Sequence, residues 1–168
     1  KKSPKRLITT TFADQFRLHT QFRNKVIGVS LKDRSAVLST GHSANAAYWF
    51  AGGDEGVFTT STYYMDSLPN WVSEYNAKKY PHQYASSEWN TLRPIETYKA
   101  SGPDDTPYEG IYKGADRPTF PYDFSTLSPD YYKDKGLDIV RNTPFGNTLV
   151  TDMALLALAH EGLGKDEQ

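Results

Sequence analysis

The chain contains no cysteine. Disulfides, zinc–thiolate centres and thiol nucleophiles are therefore excluded at once. It also lacks any apolar run long enough to cross a bilayer, so no membrane partner is expected. Neither sign of charge dominates. Nineteen Lys and Arg stand against 20 Asp and Glu, leaving a formal net charge of -1. That balance argues against a general nucleic-acid surface. The usual catalytic signatures are missing as well. There is no Gly-x-Ser-x-Gly elbow, no P-loop and no Gly-x-Gly-x-x-Gly. The four histidines, His19, His42, His82 and His160, do not pair at ligand spacing, so no complete metal site is expected within the chain.

What is present is aromatic and loop-forming. Aromatic residues make up 14% of the 168, with 12 Tyr and 10 Pro. Such a chain suits long loops packed by Tyr and Pro better than an idealised bundle. Its length allows one domain with a real core, or part of a larger one.

The chain is organised around Lys25–Leu31, followed by Lys32-Asp33-Arg34. Val26, Ile27, Val29 and Leu31 lie on both faces of any strand they form. A strand apolar on both faces reads as a central parallel strand covered by helices. Ligands of open α/β sheets sit beyond the carboxyl ends of such strands. Continued strand alternation puts Lys32 and Arg34 on one side and Asp33 on the other. Two converging cations suit an anion, phosphate above all. A charged triplet that simply ends a strand in water is the plainer alternative.

The rest of the pattern is α/β. Thr11 can cap a helix running to about Phe22, with Phe12, Phe16 and Phe22 in an aromatic stripe that reads as core and a half-buried His19 at its margin. Ser35–Leu38 is short and apolar. Gly41-His42-Ser43-Ala44-Asn45 is a turn. Tyr48–Phe50 and Val57–Tyr63 read as a β-hairpin. Ser67 can cap a helix whose buried stripe is Leu68, Trp71, Val72 and Tyr75. From His82 to Arg141 periodicity is weak and Pro, Gly, Asp and Tyr recur, which reads as a long irregular insertion. One-turn helices could start at Ser86–Asn90 and Pro129–Tyr132. A last helix opens at Asn142-Thr143-Pro144, with Leu149, Val150, Met153, Ala154, Leu156, Ala157 and His160 on its broad apolar face. The helix before the Lys25 strand lacks a preceding strand, and the last helix lacks a following one. The pattern is that of a segment cut from an α/β domain.

His42 can hydrogen-bond a substrate or a metal-bound water, or tie down its own turn. The Tyr- and Trp-rich loops can stack on sugars or nucleobases, as a stand-alone binding module would, or can cover a core.

Three blocks carry a resemblance: Ser3-Pro4-Lys5-Arg6-Leu7, Val26–Ala36 with its Lys-Asp-Arg, and Gly41–Phe50 with its Gly-His-x-Ala-Asn. Thr60–Tyr64, Leu68–Trp71 and Thr143–Asn147 extend it. These resemble the phosphate-irrepressible, PafA-type alkaline phosphatases, in the type I phosphodiesterase/nucleotide pyrophosphatase branch of the alkaline phosphatase superfamily. The resemblance implies a central segment, residues 1–168, of a three-layer α/β/α catalytic domain. It carries a small β-hairpin and a loop-rich insertion over about 82–141. It further implies a periplasmic or secreted enzyme that hydrolyses phosphate monoesters with two zinc ions and a phospho-threonine intermediate. Lys32 and Arg34 match that family's phosphate-contacting pair. His42 and Asn45 are candidates for a supporting shell. The threonine nucleophile and zinc ligands match nothing in this chain, so the segment alone is expected to bind no zinc and to be inactive. It could dimerise through an open sheet edge. Diesters or nucleotides are the alternative substrates.

Overall fold

The structure, a computed structural model, describes residues 2–127, 133 and 136–165. Its centre is a three-stranded sheet in the order β1 (Ile27–Ser30), β2 (Ala46–Ala51), β3 (Val57–Thr59). β1 pairs with β2 in parallel, from Ile27 opposite Ala46 to Ser30 opposite Trp49. β3 returns antiparallel, with Phe50 opposite Phe58. The hairpin and the parallel pairing match the sequence reading. The centre of the sheet does not. β2 is the middle strand, and among the described residues nothing pairs with the outer edge of β1. The reason lies in β2 itself, where small and large residues alternate so that both faces can be buried.

Ala46, Tyr48 and Phe50 face one side, and Ala47 and Trp49 the other. On the first side Tyr48 meets Trp71 edge-on at 5.4 Å between ring centres, and Phe58 meets Tyr75 at 6.0 Å. Those partners belong to α3 (Asn70–Ala77), which Pro69 rather than Ser67 precedes as N-cap. Leu149, Met153 and Ala157 of α5 (Pro144–Glu161) fill the same side at four-residue spacing. On the second side Ala36 and Val37 of α2 (Asp33–Thr40) pack on Ala47 and Trp49. Helices thus cover both faces in the expected three-layer α/β/α arrangement. Tyr48, Phe50, Phe58, Leu149 and Met153 are each at most 1% exposed. At about 1.5–3 kcal/mol per large apolar side chain, this cluster dominates the fold's stability.

Helix α2 went unread in the sequence. It occupies the stretch where the residue pattern shows only a short apolar segment, and only two residues separate it from the end of β1. Gly28 allows the close approach, since a Cβ there would meet the Ala36 carbonyl oxygen at 2.5 Å. Helix α1 (Phe12–His19) lies where the Thr11 cap and the aromatic spacing place it, but it is shorter and buries the opposite face. It stops at His19 because Gln21 and Phe22 take left-handed backbone angles. Its buried residues are Asp14 and Arg17, while Phe12 is 86% exposed and Phe22 53%. His19 is exposed rather than half-buried.

The irregular stretch is partly ordered by aromatic contacts. It opens on α4 (Tyr80–Tyr84) and contains a short ladder of β4 (Glu88–Trp89) with β5 (Tyr122–Asp123). Ser86–Asn90 therefore leads into a strand, not a helix. Pro129–Tyr132 lies outside the described residues. The 3-10 stretch Leu137–Asn142 belongs to the core, with Leu137, Ile139 and Val140 at most 1% exposed.

Candidate functional site

The β1–α2 junction is built by three adjacent residues. Lys32 is still extended and serves as the N-cap of α2, without a side-chain cap bond. Asp33 and Arg34 open the helix. The strand-alternation argument for Lys32 and Arg34 therefore fails, because the chain coils between them. Residues two apart on a helix do not face each other. Only the length of their side chains could bring the two head groups to one ligand. Both residues are exposed, and no hydrogen bond or ion pair between described residues holds either head group.

Asp33 is engaged elsewhere. Its carboxylate pairs with Lys2 Nζ at 2.6 Å. This bond, opposed by partial burial, and the Arg34 backbone N–H hold its carboxyl below the ordinary range. The nearest anion is thus neutralised by a residue from the N-terminal segment, and the charges of Lys32 and Arg34 stay available. The free N–H groups of the first turn of α2 add to the positive potential there. The junction has the makings of an anion site.

His42 and Asn45 lie at the opposite end of the sheet. The Asn45 Oδ1 accepts the Val26 N–H at 2.9 Å, just ahead of β1. The whole of β1 and the residues on either side of it separate that point from Lys32, about 20 Å of extended chain. The structure does not bring these residues to the Lys32–Arg34 end. Asn45 Oδ1 also accepts from Arg17 Nη1, which donates in addition to the Asn24 carbonyl at 2.8 Å. The His42 turn is tied down by Asp14. Oδ1 of Asp14 accepts the backbone N–H groups of His42 and Ser43 and the Ser43 hydroxyl, each at 2.8 Å. Oδ2 accepts the Thr11 N–H at 3.0 Å and closes a capping box on α1. Burial raises the Asp14 pKa, but the bonds from Ser43 and Thr11 outweigh it and lower it to about 2. Gly41 completes the turn with φ 74°, and a Cβ there would collide with the Asp14 carboxylate. The sequence held one signal for this role, the Thr-x-x-Asp spacing of Thr11 and Asp14. Nothing in it marked Arg17 or Lys2.

The aromatic loops enclose a cleft of about 710 Å³ lined by Trp89, Tyr112, Phe120 and Tyr122 together with Asp104 and Glu109. Trp89 meets Phe120 edge-on at 5.0 Å, and Tyr112 meets Tyr122 at 5.1 Å. Burial, then Asp104 and Glu109, raises the Tyr122 pKa. These rings pack on each other and on the main core, of which Tyr122 is itself a buried member. No group of three or more His, Asp or Glu gathers among the described residues.

A parallel β–α–β unit covered on both faces, with cations at the strand-to-helix junction, defines the class as a segment of an α/β/α domain. In sequence and fold the chain matches one part of the PafA-type alkaline phosphatases. It is 46% identical over 165 residues to alkaline phosphatase PafA of Elizabethkingia meningoseptica. It is 44% identical to alkaline phosphatase PhoV of Synechococcus elongatus. It is 46% identical to a Myroides odoratus protein named calcium-transporting ATPase. The crystal structure of wild-type PafA superposes with a TM-score of 0.86 and covers 98% of this chain. The chain spans 28–29% of the length of the curated relatives and 31% of the crystallised PafA chain. No family model matches it.

Proposed function

We propose that the protein carrying this segment hydrolyses phosphate monoesters, and that Lys32 and Arg34 contact the non-bridging oxygens of the phosphoryl group. The observation that carries the reading is the cation pair at the β1–α2 junction of a chain 44–46% identical to PhoV and PafA. A solved PafA variant adds support, since its replaced residues include a lysine and an arginine two positions apart. Lys32–Arg34 is the only Lys-x-Arg in this sequence. The chemistry is coherent. A monoester dianion carries charge on oxygens that a planar guanidinium can bind in a fork and an ammonium can meet as a point charge. Charge that persists or grows in the transition state is stabilised by cations already in place.

The resemblance also brings two zinc ions and a threonine nucleophile. The described residues hold no cluster of metal-ligating side chains, so they do not fit a zinc pair, and no step through metal is assigned to them. In our reading other parts of the protein supply both, and the protein works in the periplasm or outside the cell.

In the full-length protein, Lys32→Ala and Arg34→Ala should each lower kcat/KM for an aryl phosphate monoester by about 10- to 100-fold, as expected for loss of a charge-assisted hydrogen bond. Hydrolysis of the corresponding diester, with less charge on its non-bridging oxygens, should fall by less. Equal losses on both substrates overturn the assignment and favour a diesterase.

A further inference from the structure

Beside Arg34 the N-terminal segment encloses a cleft of about 730 Å³. Lys2, Lys5, Arg6 and Arg34 line it against a single carboxylate, Asp33, with Val37 and Leu38 as its apolar wall. The segment is anchored. Pro4 is less than 2% exposed, and the Leu7 N–H closes a 3-10 turn on the Pro4 carbonyl at 2.8 Å. Lys2 is bound to Asp33. The anchor at Pro4 turns Lys5 and Arg6 outward, where both are exposed. The one acidic group of the cleft is already paired, so Lys5, Arg6 and Arg34 are its uncompensated charges.

We infer that this cleft is a subsite for a second phosphate on the substrate, so that the preferred substrates are organic bisphosphates rather than simple monophosphates. The inference rests on the phosphatase reading through Arg34, which stands at the boundary between the two positions. One phosphate sits at Lys32 and Arg34, and the short organic spacer runs along Val37 and Leu38. The second phosphate meets Lys5 and Arg6. Two phosphate oxygens at exposed cations gain modestly for each contact, which adds up to about a tenfold advantage in affinity.

The test is calorimetric binding to the full-length protein of the non-hydrolysable phosphonate analogues of propane-1,3-diyl bisphosphate and of propyl phosphate. The bisphosphate analogue should bind about tenfold more tightly, and the advantage should shrink at about 1 M salt, where charges are screened within about 3 Å. The double substitution Lys5→Ala with Arg6→Ala should bring the two affinities together, whereas Lys5→Arg with Arg6→Lys should keep them apart. Equal affinities in the wild-type protein, or an unchanged advantage in the double alanine variant, overturn the inference. Absence of monoester hydrolysis with the bisphosphate advantage intact instead refutes the phosphatase reading alone.

Discussion

Replacing Asp14 by alanine removes one acceptor from five donors: the N–H and hydroxyl of Thr11, the N–H and hydroxyl of Ser43, and the N–H of His42. Water can reach the Thr11 groups, so their loss resembles the loss of a helix cap, about 1 kcal/mol. The two turn amides lie under a residue only 3% exposed, and each costs about 1–1.5 kcal/mol when left without a partner. The substitution should therefore destabilise the fold by about 3–4 kcal/mol. The titration offers a second route. A carboxyl lowered from the ordinary 3.8 to about 2 contributes about 2.4 kcal/mol through its charge, at about 1.36 kcal/mol for each tenfold. Asp14→Asn keeps the shape and loses that charge, so it should cost about 2 kcal/mol. Because the folded carboxyl is the stronger acid, its contribution is complete above about pH 4. It disappears as the pH falls towards 2. Urea unfolding of the 168-residue chain, followed by tryptophan emission, measures both effects. With a slope of about 2 kcal/mol per molar, Asp14→Ala should lower the midpoint by about 1.5–2 M. Between pH 4 and 2 the wild-type chain should lose more stability than Asp14→Asn. A cost below about 1 kcal/mol for the alanine variant, or identical pH curves for wild type and asparagine, would refute the reasoning.

Gly28→Ala should push α2 off β1 at a cost of about 1–3 kcal/mol. In the full-length protein it should lower monoester kcat/KM although Gly28 touches no substrate, and wild-type kinetics would show that α2 does not position Arg34. The isolated chain should not hydrolyse an aryl phosphate even with added zinc; sustained turnover would place the whole catalytic apparatus within these 168 residues. The same chain should self-associate in sedimentation as its concentration rises. The outer edge of β3 is satisfied at Phe58 by the Asn76 side chain at 2.8 and 2.9 Å, whereas β1 has no such cover among the described residues. A monomer at all concentrations would rule out edge pairing.

The elements legible in the sequence were those whose cause is local. The β2–β3 hairpin declared itself through Tyr48–Phe50, a glycine-rich turn and Val57–Thr59. Helix α5 did so through repeated apolar residues between Pro144 and Gly162. Helix α2 was hidden because it is short, rich in Ser and Thr, and joined to β1 by only Leu31 and Lys32. The face of α1 was misjudged because ring size suggested burial at Phe12 and Phe16. What decides that face is a turn 28 residues away in sequence from Asp14, whose amides need its carboxylate. The candidate site divides in the same way. The cation pair itself stood out, since Lys-x-Arg after an apolar run is a local signal. Its geometry did not, because strand alternation gives way to a helical turn at Asp33. The contribution of Lys2 is a long-range ion pair that no spacing announces.

The alternation along β2 also governs which changes in length this protein can survive. Tyr48 and Phe50 point to one face, Ala47 and Trp49 to the other. Deleting one residue before Tyr48 would exchange the faces and drive two large rings against α2, where Ala36 and Val37 leave room for Ala47. Lineages should therefore vary in length most readily between residues 98 and 103, where no helix or strand constrains the backbone, and almost never between Ile27 and Thr59.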